Sequence, residues 1–250
     1  STESFENVSS LLGDAFRYAK RRGMKIGLGL EVGSLPDDVL ERLPPSAYFA
    51  GTDIIDPLSE TVREILELRI RNLIETYPEV DYVTFWQPEA IFLLDVPLGK
   101  SSRFDEFYEE HRKKFMQAPP RPGKPEKQRL FDRRVRTAVW TAAYFKTAVE
   151  VLAEVAPDKT PVIAGWGGSF TARGQLLGSI EGLDLVLPKN VVFTYLTSFF
   201  GNARVSPLFG NVKGREKWPL SWFESDNALW LPQPNVHRTE RQLESAKKHG

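Results

Sequence analysis

Apolar positions recur along this chain in two rhythms, a helical one and a short unbroken one, and the two alternate. Residues 5–22 place Phe5, Val8, Leu11, Leu12, Ala15, Phe16 and Ala19 on one face and end in Arg21-Arg22-Gly23, which predicts an amphipathic helix with a basic end and a glycine stop. Residues 24–32 (MKIGLGLEV) form a continuous apolar run, the pattern of a strand covered on both faces. Helical spacing returns over 56–77 through Leu58, Val62, Ile65, Leu66, Ile70, Leu73 and Ile74. A strand is predicted at 82–86, a strong helix at 133–155 ended by Pro157, and a strand at 161–166. A short helix at 173–182, strands at 190–196 and 218–223, and a last helix at 239–248 complete the series.

Strands alternating with helices imply right-handed crossovers and a parallel sheet, so the fold class is α/β. The turns entering the strands are short (Arg22-Gly23, Pro157-Asp158-Lys159), whereas the segments leaving them are long and rich in Gly, Trp and polar residues. That asymmetry predicts a (β/α)8 TIM barrel, whose working loops all follow strand C-termini. A dinucleotide-binding sheet would carry a glycine fingerprint after its first strand, and Gly27-Leu28-Gly29 lies inside a strand and lacks the third glycine. Five strands are visible, so the barrel is expected to be partial or to contain irregular strands. Residues 1–250 are read as a single domain with an insertion at about 91–131. The insertion holds a charged helix near 103–117 and a proline-rich tract, Ala118 to Pro125, that breaks regular structure. Helices at both ends suggest an excised piece, with further domains of a longer chain as neighbours.

Composition narrows the chemistry. Lys and Arg total 33 against 33 Asp and Glu, which leaves no net field to draw nucleic acid or an acidic membrane. The absence of cysteine removes disulfides, thiolate metal sites and thiol nucleophiles. No apolar run reaches the roughly 18–20 residues of a membrane span. No signal peptide is visible; a secreted or periplasmic location is favoured if a leader was removed. His111, His237 and His249 lack ligand spacing, and neither a P-loop nor a G-x-S-x-G elbow occurs, so no metal and no cofactor is expected. The basic cluster Arg129, Arg133, Arg134 and Arg136 is interrupted by Asp132 and reads as a solvated helix start.

The segment Asp81 to Glu89 (DYVTFWQPE) holds the first candidate: a strand running into Trp86, Gln87 and, past Pro88, Glu89. A carboxyl after a strand C-terminus faces the mouth of a barrel, where it can protonate a glycosidic oxygen. Residues 87–90 (QPEA) could also open a helix, with Glu89 favoured there by the dipole. A second segment of this design, 219–226 (PLSWFESD), carries Glu224 and Asp226 at alternate positions, so both share one side of an extended chain. Glu224 could serve as nucleophile or base, with Asp226 tuning it or binding a hydroxyl. Trp86 and Gln87 would orient the sugar, and Trp166, Tyr195, Trp222 and Trp230 fall at or just after strand ends, where aromatic faces would stack on sugar rings. Glu31, ending the first strand, is a further substrate contact. Asp81 and Glu79 precede their strand and belong to the stability face.

On the strand at 23–28 (GMKIGL) and the segments 85–89 (FWQPE) and 221–224 (SWFE), the chain resembles the (β/α)8 glycoside hydrolases of the α-glucuronidase and β-hexosaminidase neighbourhood. Many retaining members carry an acid/base Glu after the fourth strand and a nucleophile Glu after the seventh. The resemblance implies that the visible strands are the third to the seventh, with Glu89 as acid and Glu224 three strands on. The α-glucuronidase-like enzymes invert, and there Glu224 or Asp226 would be the base. The chain departs from the pattern in having Pro88 where an Asn-Glu pair would sit, and it has no Asp-Glu pair of the hexosaminidase type. The expected function is hydrolysis of an O-glycosidic bond in a carbohydrate substrate, as in polysaccharide degradation. The alternative is a non-catalytic carbohydrate-binding barrel using the same aromatics. A lyase or aldolase would need a Lys or a metal cluster at the strand ends, and neither is visible.

Overall fold

Five strands, β1 (Gly27–Glu31), β2 (Tyr82–Gln87), β3 (Thr160–Gly165), β4 (Val192–Thr197) and β5 (Lys217–Ser221), pair in parallel in the order β1-β2-β3-β4-β5 in the computed structural model. The structure describes residues 2–87, 94–116, 124–165, 176–197, 205, 207–221 and 236–249. Sequence order equals spatial order, with no point at which the strand sequence reverses. Right-handed crossovers then put every connecting helix on one face of the sheet, unlike a doubly wound sheet with helices on both. The other face is left to the strands themselves.

That free face is concave. Tyr82 begins β2 and Trp218 lies in β5, three strand spacings away, about 14 Å in a flat sheet. Their rings nevertheless meet edge to face, with centroids 4.9 Å apart and planes at 81°. Only a strongly curled sheet brings these side chains together. An eight-stranded barrel has an interior just wide enough for side chains to fill, and this contact has that tightness. Among the described residues the five strands form an open arc of such a curve, not a closed ring.

The convex face carries the core. Val83 and Phe85 of β2, Ile163 of β3 and Phe193 of β4 point into it. Around them pack α1 (Thr2–Arg21), α3 (Glu60–Thr76), α4 (Ser102–Phe115), α5 (Pro125–Val155), α6 (Leu176–Val186), α7 (Pro207–Asn211) and α8 (Val236–His249); α2 (Asp37–Leu40) is a single short turn. Hydroxyl caps start two of them: Ser59 Oγ accepts from the Val62 N–H at 3.2 Å, and Ser101 Oγ from the Phe104 N–H at 3.3 Å. The helix expected inside the 91–131 insertion is α4, and it is no appendage: Phe104, Tyr108 and Phe115 join the common core.

Two helices differ from expectation. α5 begins at Pro125 instead of 133, because proline suits a first helical position. Its 31 residues run about 46 Å, far beyond the roughly 20 Å of β3. Two of its arginines are only partly solvated: Arg133 Nε donates to Leu94 O at 3.1 Å, and Arg136 Nε to Val96 O at 2.9 Å, with Nη2 on Asp95 at 2.6 Å. α1 holds to the body by one edge of its apolar stripe, where Phe16 and Ala19 pack on the core, through Phe16 edge-on to Tyr77 (5.4 Å) and Ser9 to Tyr77 (3.2 Å). Leu11, on the apolar stripe, stays 69% exposed.

Asp81 ties α1 to the N-terminal edge of the sheet. Its carboxylate accepts from Lys20 Nζ at 2.8 Å, from Lys25 Nζ at 3.3 Å and from the Ile26 N–H at 2.8 Å. Partial burial alone would raise its pKa, but the Lys20 and Ile26 hydrogen bonds and Lys25 outweigh it and hold the group at about 2, below its ordinary 3.8. A carboxylate depressed in the folded state stabilises above its unfolded pKa, and that stability is lost as pH falls through the folded value. We expect roughly 1–2 kcal/mol, after allowance for solvent screening, to disappear between about pH 4 and pH 2. Urea unfolding of Asp81→Asn across that range should show a shallower acid slope than the parent; an unchanged slope would remove Asp81 from the account.

Candidate functional site

Strand alternation sorts the side chains at the C-terminal edge. In β2, Val83, Phe85 and Gln87 are buried, while Tyr82, Thr84 and Trp86 are half-buried. Tyr82 faces the concave side, since it meets Trp218 there, so Thr84 and Trp86 follow it. The register carries this across the sheet: Gly27 pairs with Tyr82, Gly29 with Thr84 and Glu31 with Trp86, and on the other flank Val162 pairs with Thr84 and Ala164 with Trp86. Above the Tyr82–Trp218 plug the concave face is thus lined by small residues, Gly29, Thr84 and Val162, and then by the neighbours Glu31 and Trp86.

Glu31 is exposed at the last position of β1, beside the half-buried indole of Trp86. An indole face next to a carboxylate suits a sugar ring, which offers apolar C–H bonds on one side and hydroxyl donors at its edge. These are the two predicted contacts that the structure brings together. The glycines of β1 leave their side of the face open, and the turn after it depends on Gly33. Gly33 has φ of +71°, and a Cβ there would lie 2.9 Å from Trp140 Cη2. Trp140 is held in place by its Nε1–H, which donates to Ile55 O at 2.8 Å.

Gln87, expected beside Trp86 on the sugar, lies on the opposite side of β2. It is 6% exposed, it faces the helices, and its Oε1 has no hydrogen-bond partner among the described residues. Period-two alternation makes this unavoidable once Trp86 faces the concave side. The neighbouring strand makes room for it, since a Cβ on Gly165 would fall 2.9 Å from Gln87 Cβ. Tyr195 lies within β4 in register with Pro219, and its side chain is outside the described residues. Glu89, Trp166, Trp222, Glu224, Asp226 and Trp230 also lie outside the described residues. In sequence Glu89 stands two positions after the end of β2, and Glu224 three after the end of β5.

The Tyr82–Trp218 plug was not anticipated. Each residue sits at the start of a strand, and only the curl joins them. Thr194 was missed as well: it is buried on the concave side of β4, with its hydroxyl donating to Ile163 O at 3.1 Å.

Among solved structures, the chain is similar to the β-galactosidase of the psychrophilic Marinomonas ef1, at 15% identity and a TM-score of 0.46, over 78% of this chain and 34% of that one. The chain therefore spans about a third of that enzyme's length. No family model and no curated protein matches it.

Proposed function

We propose that this chain forms the catalytic sheet of a glycoside hydrolase, with Glu89 as the proton donor and Glu224 as nucleophile or as base on water. One observation carries this reading. β2 and β5, the strands that lead to these two glutamates, are curled until side chains from each touch across the concave face, Tyr82 on Trp218 at 4.9 Å. Glycoside hydrolysis needs two carboxyls flanking one bond, about 5–5.5 Å apart for retention or about 6.5–9.5 Å for inversion. Strands that approach this closely at one end suit residues that follow both at the other.

In this reading Trp86 stacks on the sugar and Glu31 accepts from its hydroxyls. Trp166, Tyr195, Trp222, Asp226 and Trp230 complete the subsite, and Gln87 supports β2 from behind without touching substrate. Incubation with a panel of aryl glycosides and oligosaccharides should release reducing sugar from at least one class. Binding of oligosaccharides with no release from any of them would favour the non-catalytic carbohydrate-binding alternative.

A further inference from the structure

We infer that the substrate of this face is an uncharged sugar, and that Glu31 is the residue that turns uronic acids away. The inference rests on the glycosidase reading and adds the substrate class. The described positions that face the concave side are Gly27, Gly29 and Glu31 of β1, Tyr82, Thr84 and Trp86 of β2, and their register partners in β3 to β5, such as Val162, Ala164, Thr194 and Trp218. Among these described positions Glu31 is the one charged side chain, and no Lys or Arg accompanies it. The cation of β5, Lys217, belongs to the other face: it is in register with Phe193, and its ammonium lies over the Phe209 ring. Arg69 reaches the end of β1 from the helix side, where it donates to the backbone oxygens of Glu31 and Ser34 at 3.3 and 3.2 Å.

A uronate carboxylate is recognised by paired guanidinium or ammonium donors. Here it would meet a carboxylate beside the stacking indole, with no such donor on the described face. In sequence, the segments that follow β2 to β5 hold Glu89, Asp95, Glu224 and Asp226 against Lys100, Arg173 and Arg204, four acids to three bases. Neutral sugars suffer no such penalty, because their hydroxyls donate to Glu31. Like-charge exclusion of this kind sets specificity by what it rejects.

The test compares kcat/KM for matched pairs, aryl glucoside against aryl glucuronide and aryl galactoside against aryl galacturonide. The parent should prefer the neutral member of the pair it hydrolyses, and Glu31→Gln should narrow that preference by about tenfold. Glu31 is exposed, so the substitution leaves the core untouched. A parent preference for the uronide, as a clamp from Arg173 or Arg204 would give, overturns the inference; so does a ratio that Glu31→Gln leaves unchanged. If nothing is hydrolysed, tryptophan-fluorescence titration with neutral and uronate oligosaccharides decides. A neutral preference erased by Glu31→Gln then sustains the inference while the hydrolase reading falls, and equal, reversed or absent binding overturns it.

Discussion

Glu89→Gln should lower turnover of an unactivated glycoside by about 10²–10⁴-fold, while sparing substrates whose leaving group departs without a proton. Glutamine is close to isosteric but cannot donate an acidic proton, so the loss falls on leaving-group protonation alone. Glu224→Gln should abolish turnover of both substrate kinds, because it removes the nucleophile, or the base that activates water. The parent's pH–rate profile should be bell-shaped, and Glu89→Gln should lose its alkaline limb, the side on which an acid must stay protonated. The discriminating measurement is the ratio of activity on dinitrophenyl and alkyl glycosides for the two variants. Full turnover by both variants on every hydrolysed glycoside would sink the assignment.

The largest effect on stability is expected from Arg215, in the turn before β5. Its side chain is fully buried, and its guanidinium lies 3.9 Å from the Phe193 ring centroid. Nε donates to Asp184 Oδ1 at 2.7 Å, Nη1 to the carbonyls of Pro188 and Val191 at 2.9 and 3.0 Å, and Nη2 to those of Asp184 and Leu187 at 3.2 and 3.1 Å. The last turn of α6 is thereby fastened to the start of β4. Burial weakens the hold of Arg215 on its proton and Asp184 partly restores it, the balance lying below the usual arginine value. Arg215→Ala leaves four carbonyls and a partly buried carboxylate without this partner, and should cost about 3–5 kcal/mol. For a domain of this size that is a fall in Tm of roughly 6–20 °C. Arg215→Lys should recover little, since an ammonium cannot span the same fork. Asp184→Asn should cost less than Arg215→Ala, since the four carbonyls keep their donor. Urea unfolding of the three variants gives the order, and a loss below about 1 kcal/mol for Arg215→Ala would refute this account.

Arg215 shows where sequence reading stops. In Lys213-Gly214-Arg215-Glu216-Lys217 it looks like one charge of a solvated turn, and Gly214 at φ +72° confirms the turn. Its burial depends on the end of α6 and the residues just before β4, 24 to 31 positions upstream, and nothing within the turn itself marks that contact. At the start of α5, Arg129 is exposed as expected, whereas Arg133 and Arg136 turn to the backbone oxygens of Leu94 and Val96, which no side-chain pattern advertises. The short α7 was also missed, since five residues are too few to show a period.

Hydrophobic rhythm by itself determined the five strands, the main helices between them and the parallel α/β class. These follow from backbone geometry and from the burial of one face or two, both of which are local. The candidate glutamates were legible only as residues that follow strands, and their mutual placement lies outside the described residues. Which side of each strand looks inward was decided by tertiary structure alone. A parallel strand is apolar on both faces, so alternation says that Trp86 and Gln87 part company but not which one meets the ligand. The curl that sets Tyr82 against Trp218 settles it, turning Trp86 and Glu31 to the concave side and Gln87 to the helices, because curvature belongs to the whole sheet and to no strand in it.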